Sequence, residues 1–273
     1  MTRILQPFRI LAIVTMIFIY LAHMAVVWVA VRERWRKVIL ANRILRQYCR
    51  VGLWILGVRV NPIDSGKMPS TNVLMVGNHL SYLDVLVICS VKPSCFVTSM
   101  EIKRTPGLGI ICQMAGSLFV DRQNKNNILN EISELREGLE NGVNIAIFPE
   151  ATSTNGERIL RFRRPLYTAA VAALKPIVPF CLNYARVGGH PINTVTRDKV
   201  MWYGDMDFVP HLWALSGAGG VEVDLHFLPA LIPSADSDTT ELAARSQAEV
   251  EKVFRPVPNN AEGPRDREPS ATV

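Results

Sequence analysis

Apolar and polar positions follow three rhythms along this chain. Residues 10–31 are apolar throughout: 22 consecutive positions lack Asp, Glu, Lys and Arg, and His23 is the one imidazole among them. A helix of that length can cross a hydrocarbon core. It is longer than the apolar core of a signal peptide, and no small-residue cleavage site follows it. A buried core helix, or one lying in a single leaflet, fits the same pattern. Over residues 39–51 apolar positions return at helical spacing against Arg43, Arg46 and Arg50, as expected of an interfacial helix. The following run Leu53-Trp54-Ile55-Leu56 is too short to cross a bilayer and leads into the next region.

From about residue 61 short apolar runs alternate with helical stretches, which predicts an α/β domain. Residues 61–72 read as a turn-rich entry. Strands are expected over 73–76, 95–98, 117–120, 145–148, 177–183 and 221–227, and helices over 84–90, 126–140, 165–174 and 238–254. The strand at 117 follows a Gly-rich, Pro-containing loop. Perfect alternation over 221–227 predicts a half-exposed strand near the sheet edge. The chain thus divides into an N-terminal membrane anchor (1–60), a domain (61–255) and a polar, Pro-rich tail (256–273) expected to be disordered.

Charge refines the partner. The net charge of +6 suits nucleic acid, an anionic membrane or a phosphorylated substrate. The basic residues form no solid run interleaved with aromatics, so nucleic acid is the weakest of the three. Arg3 and Arg9 precede the apolar run, whereas Arg32, Arg34, Arg36, Lys37, Arg43 and Arg46 follow it. By the positive-inside bias the domain faces the cytoplasm, on an inner membrane. Five cysteines, an odd number without a CxxC pair, read as buried free thiols in a reducing compartment, and no zinc pattern is visible.

Candidate chemistry sits where predicted strands end. Gly77-Asn78-His79-Leu80-Ser81-Tyr82-Leu83-Asp84 places an imidazole and a carboxylate at the edge of the first strand. The imidazole can take a proton near neutral pH, and the carboxylate can fix its tautomer. Taken alone, such a pair is more often structural than catalytic. Ser81 lacks the GxSxG elbow of a nucleophile, and His79 and Asp84 lack third and fourth metal ligands. Three further clusters recur at strand ends: Gly116-Ser117-Leu118-Phe119-Val120-Asp121-Arg122, then Phe148-Pro149-Glu150-Ala151-Thr152, then Val178-Pro179. Arg158, Arg161, Arg163 and Arg164 follow the second. The ends of parallel strands gather on one edge, where α/β ligands sit.

In this order and spacing the four blocks resemble the 1-acylglycerol-3-phosphate acyltransferase family of glycerolipid acyltransferases, over roughly residues 73–185. The resemblance implies a single domain around a central mixed, largely parallel sheet flanked by helices, preceded by a membrane-anchoring helix. It implies transfer of a fatty acyl group from acyl-CoA or acyl carrier protein to a lysolipid hydroxyl, foremost that of 1-acyl-sn-glycerol 3-phosphate, without a cofactor or metal. His79 would be the base and Asp84 its orienting partner, with backbone N–H groups between Glu150 and Ser153 as oxyanion donors. The resemblance assigns Gly116, Phe119, Arg122, Glu150, Ala151 and Thr152 to acceptor binding, and Arg158 and Arg163 are added on charge. Ala151 stands where the family has glycine, Ser153 where arginine is frequent, Pro165 where a glycine often follows the basic pair, and Ser99 where many members carry lysine. These departures bear on the acceptor, for which a lyso-aminolipid such as a lyso-ornithine lipid is the alternative. Rival functions are a catalytically silent membrane adaptor and a hydrolase that uses water as acceptor.

Overall fold

The computed structural model describes residues 2–121 and 127–257. The apolar run becomes one long helix, α1 (Thr2–Ala30), which is long and apolar enough to cross a membrane. It does not stand free of the domain. Gln6 donates to the Trp213 carbonyl and Arg9 to that of Ser216 near one end, while the Trp28 indole reaches the Met114 carbonyl at the other. Between them Ile13 enters the main core, and Tyr20, Met24 and Val27 pack on Ala41. The opposite side of α1 exposes Phe8, Leu11, Phe18, Val26 and Val29.

The second segment forms α2 (Arg34–Leu56). The Glu33 carboxylate accepts from the Trp35 and Arg36 amides at its start. Gly57 closes its far end in the left-handed region, φ 73°, so the chain turns directly into β1 (Val58–Ile63). The segment is not given over to the membrane alone: one face of α2 buries Trp35, Val38, Ala41, Cys49, Leu53 and Leu56 in the domain. Its arginines mark the remaining face.

After β1 come β2 (Leu74–Gly77), α3 (Leu83–Val91), β3 (Cys95–Ser99), α4 (Met100–Arg104), α5 (Leu108–Met114), β4 (Leu118–Val120) and α6 (Ile128–Glu140). The second half holds β5 (Ile145–Ile147), α7 (Tyr167–Ala172), β6 (Ile177–Val187), β7 (His190–Pro191), α8 (Thr194–Arg197), α9 (Phe208–Ser216), β8 (Val221–Phe227) and α10 (Thr239–Val253). The sheet order is β1-β8-β6-β2-β5-β3-β4, with β7 added to β6. The five strands from β6 to β4 are mutually parallel, β8 runs antiparallel to β6, and β1 runs parallel to β8.

Three local expectations change. The supposed turn-rich entry begins as strand: β1 continues to Ile63 across the anticipated boundary at residue 60, with Pro62 tolerated because the strand is an edge. β1 thereby flanks β8, which lies second from the edge with its polar residues half-exposed, as its alternation predicts. The Gly-rich loop before β4 contains the short helices α4 and α5, with Ser99 capping α4 by accepting from the Ile102 amide. In the tail, Val257 is buried and its amide donates to the Gly156 carbonyl; residues 258–273 lie outside the described residues.

Strand periodicity sorts the core into two layers. Met75, Ala146, Val178 and Phe180 face Leu83, Val87 and Ile88 of α3 and Leu53 of α2. Their neighbours Leu74, Val76, Ile145, Ile147 and Ile177 face Leu135 and Leu139 of α6, Ala169 of α7 and Val250 of α10. The five cysteines are unpaired.

Candidate active site

β2 ends on Gly77, a position where nothing larger fits: a Cβ there would lie 2.3 Å from the Phe180 carbonyl oxygen of β6. The Asn78 side chain then bridges to β6, donating to the Leu182 carbonyl at 2.9 Å and accepting from its amide at 2.8 Å. With the strand end pinned, His79 leaves the sheet at a fixed point. Its ring stacks on Phe148 with centroids 4.0 Å apart.

His79 Nδ1 lies 2.8 Å from Asp84 Oδ2. Asp84 is fully buried in the first turn of α3, where helix N-termini favour anions. The same Oδ2 accepts the amides of Leu80 at 2.6 Å and Ser81 at 2.9 Å, and Oδ1 accepts the Tyr184 hydroxyl at 2.8 Å. Four donors therefore hold one carboxylate, and an acceptor at Nδ1 makes that nitrogen the protonated one. Nε2 keeps its lone pair, and the side chain is 22% exposed. Burial, reinforced by Asp84, pushes the Tyr184 hydroxyl well above its usual pKa, so it stays a donor. Ser81 is fully buried and is no accessible nucleophile.

Glu150 supports this arrangement from the β5 side. It is buried, and its two oxygens accept the amides of His79 at 2.8 Å and Leu160 at 2.7 Å. Burial pushes its carboxyl up to about 7, against the pull of those two amides. The His79 carbonyl in turn accepts the Thr154 amide at 2.9 Å, so the loop after β5 is tied to His79 on both sides. Ala151 adopts φ 62°, the left-handed conformation expected at a family glycine. Its amide donates to Phe148, which removes it as an oxyanion donor, whereas the Thr152 and Ser153 amides have no acceptor among the described residues.

The other anticipated residues form no hydrogen bond or ring contact with His79, Asp84 or Glu150 among the described residues. Gly116 and Phe119 line a cavity of about 570 Å³ with Arg32, Arg34, Lys37 and Lys103, and the Lys103 ammonium sits over the Phe119 ring. Thr152, Arg158 and Arg163 are exposed, and the side chains of Arg158 and Arg163 form no hydrogen bond or ion pair among the described residues. Arg122 lies outside the described residues. Sequence reasoning missed Tyr184, the bracing role of Glu150, and a second support in which the Tyr82 hydroxyl donates to His211 Nδ1 while His211 Nε2 donates to the Met201 carbonyl. A tyrosine on the same alternate register as the apolar Val178, Phe180 and Leu182 was the available signal for Tyr184.

The acyltransferase family model matches residues 59–183, a span containing His79, Asp84, Glu150 and the strands that carry them. The lyso-ornithine lipid O-acyltransferase of Pseudomonas aeruginosa is 32% identical over 68% of this chain and 69% of its own length. That of Rhizobium meliloti is 30% identical over 67% of this chain, and the match spans just under two thirds, 64%, of its length. The crystal structure of the 1-acyl-sn-glycerophosphate acyltransferase PlsC from Thermotoga maritima shares the fold, with a TM-score of 0.65 and 19% identity over 92% of this chain and 95% of that one. Family model and relatives agree, on a fold shared with that structure: the chain belongs to the acyltransferase family.

Proposed function

We propose that this protein transfers a fatty acyl group from acyl-CoA or acyl carrier protein to the free hydroxyl of a lysolipid at the membrane surface. The observation that carries this reading is the His79–Asp84 pair: Nδ1 is committed to a buried carboxylate and Nε2 is left as a base. Nε2 takes the acceptor hydroxyl proton as its oxygen attacks the thioester carbonyl. The resulting imidazolium is stabilised by Asp84, and the Thr152 and Ser153 amides are the candidate donors to the oxyanion. Collapse of the tetrahedral intermediate breaks the C–S bond, and His79 returns the proton to the leaving thiolate. Ester and thiol are the products, with no covalent enzyme intermediate.

Two acceptors are supported by different observations. Among the described residues, the cavity at Gly116 and Phe119 is lined by four cations, Arg32, Arg34, Lys37 and Lys103, against one carboxylate, Glu134. That excess suits a phosphate head such as that of 1-acylglycerol 3-phosphate, giving phosphatidic acid. The names of the Pseudomonas and Rhizobium relatives, and Ser153 in place of an arginine, favour a lyso-ornithine lipid. Purified protein given labelled acyl-CoA and a panel of lysolipids, read by thin-layer chromatography, decides between them. Free fatty acid as the main product in the presence of every lysolipid would defeat the transferase reading.

The same reading accounts for α1. At 1.5 Å per residue its 29 residues reach roughly 44 Å, yet contacts to the domain occur near both ends. A helix so held lies along one leaflet with Phe8, Leu11, Phe18 and Val29 in lipid, rather than rising away from the domain across the bilayer. With both flanks of α1 then on one face of the membrane, the need for a soluble thioester donor places the domain on the cytoplasmic face.

A further inference from the structure

A separate cavity of about 650 Å³ opens at the C-terminal end of α3, the end remote from His79. Arg46 and Arg50 of α2 and Lys92 just beyond α3 line it, together with apolar Leu53, Val58 and Val60. Arg46 Nε at 3.1 Å and Arg50 Nε at 2.9 Å both donate to the Ser90 carbonyl. That shared acceptor fixes two guanidinium groups side by side and leaves their terminal nitrogens for another ligand. Among the described residues no Asp or Glu lines the cavity, and none of the three cations forms an ion pair. Burial, and for Arg46 the neighbouring Arg50 as well, lowers the pKa of Arg46 and Lys92.

Two adjacent guanidinium groups and an ammonium repel one another unless an anion joins them. Guanidinium forks match phosphate oxygens, and Lys92 adds a point charge. The apolar half of the lining suits the glycerol end of an acyl chain better than a free ion. On the same stretch of α2, Val51 and Trp54 are exposed, Trp54 by 79%, as interfacial residues are. We propose that this cavity binds one anionic phospholipid, with Arg46, Arg50 and Lys92 on its phosphate and Leu53, Val58 and Val60 against its chains. Such a lipid would be a second point of membrane contact, apart from α1, that fixes the rotation of the domain over the bilayer. The site does not depend on which lysolipid is acylated.

The test is calorimetric titration of the full chain in neutral detergent, where no charged bilayer surface contributes. The ligands are dihexanoylphosphatidylglycerol, dihexanoylphosphatidylcholine and inorganic phosphate. Wild type should bind one molecule of the anionic lipid and prefer it to the zwitterionic one. Lys92→Gln, which removes no internal side-chain hydrogen bond, should weaken binding about tenfold, the scale of one charge-assisted hydrogen bond. Arg46→Gln/Arg50→Gln should weaken it further, and Arg43→Gln, exposed on α2 outside the cavity, should leave it unchanged. Equal losses in Lys92→Gln and Arg43→Gln, or none in either, would overturn the site. Inorganic phosphate binding as tightly as the lipid would overturn the lipid assignment in favour of a soluble phosphate.

Discussion

Asp84→Asn separates the two tasks of the buried carboxylate. Three donors converge on Oδ2, namely His79 Nδ1–H and the Leu80 and Ser81 amides, whereas Oδ1 meets only the Tyr184 hydroxyl. Asparagine can place its oxygen at the three-donor corner and turn its NH₂ toward Tyr184, whose rotating hydroxyl then accepts. Every hydrogen bond survives and His79 keeps its tautomer. What disappears is the charge. Two unit charges about 4 Å apart at an effective dielectric of about 20, suited to a histidine near the surface, interact by about 4 kcal/mol. At about 1.4 kcal/mol per decade the expected loss in kcat is about 10³-fold, with the melting temperature nearly unchanged. Asp84→Ala orphans all four donors and should also destabilise the fold, by about 1–3 kcal/mol for each buried group left unpaired. The assay is initial-rate release of free thiol from acyl-CoA with lysolipid present, beside a thermal melt. An Asp84→Asn protein that melts normally and turns over within tenfold of wild type would refute the electrostatic role.

Glu150 should impose a pH dependence on stability. Its carboxyl rises from 4.5 to about 7 on folding, so the folded chain holds the extra proton between those values and stability falls as pH rises through them, by about 3 kcal/mol. Melting temperature measured from about pH 5 to pH 8 should decline for wild type and stay flatter for Glu150→Gln, which carries no charge; parallel curves would be the contrary result. Ala151→Gly relieves a left-handed alanine and should add about 1 kcal/mol, seen as a rise of about 2–4 °C in the melting midpoint. Gly77→Ala drives a Cβ onto the Phe180 carbonyl at the β2–β6 contact and should cost about 3 kcal/mol or more in a denaturant titration.

What the sequence disclosed follows the range of the interactions. His79 and Asp84 were legible because a helix start brings near neighbours together, and the parallel strands because their apolar runs are short and bounded. Ala151 marked itself as the exception in a glycine position, and the structure gives it the glycine conformation. The supports of the base were hidden because they come from far along the chain: Tyr184 lies 100 residues from Asp84, and Glu150 lies 71 from His79. The arginines of α2 were legible only in part, for a related reason. Their periodicity marked one face of the helix, but that Arg46 and Arg50 share the Ser90 carbonyl at the end of α3 is a contact that no local pattern encodes.

The base role of His79 is tested most directly by His79→Ala, in the full chain bound to lysolipid-containing vesicles and supplied with labelled acyl-CoA. Nε2 is the one lone pair that the Asp84 network holds ready, so labelled ester should vanish while vesicle binding and the melting temperature stay close to wild type. Labelled ester formed at the wild-type rate by His79→Ala would contradict the account.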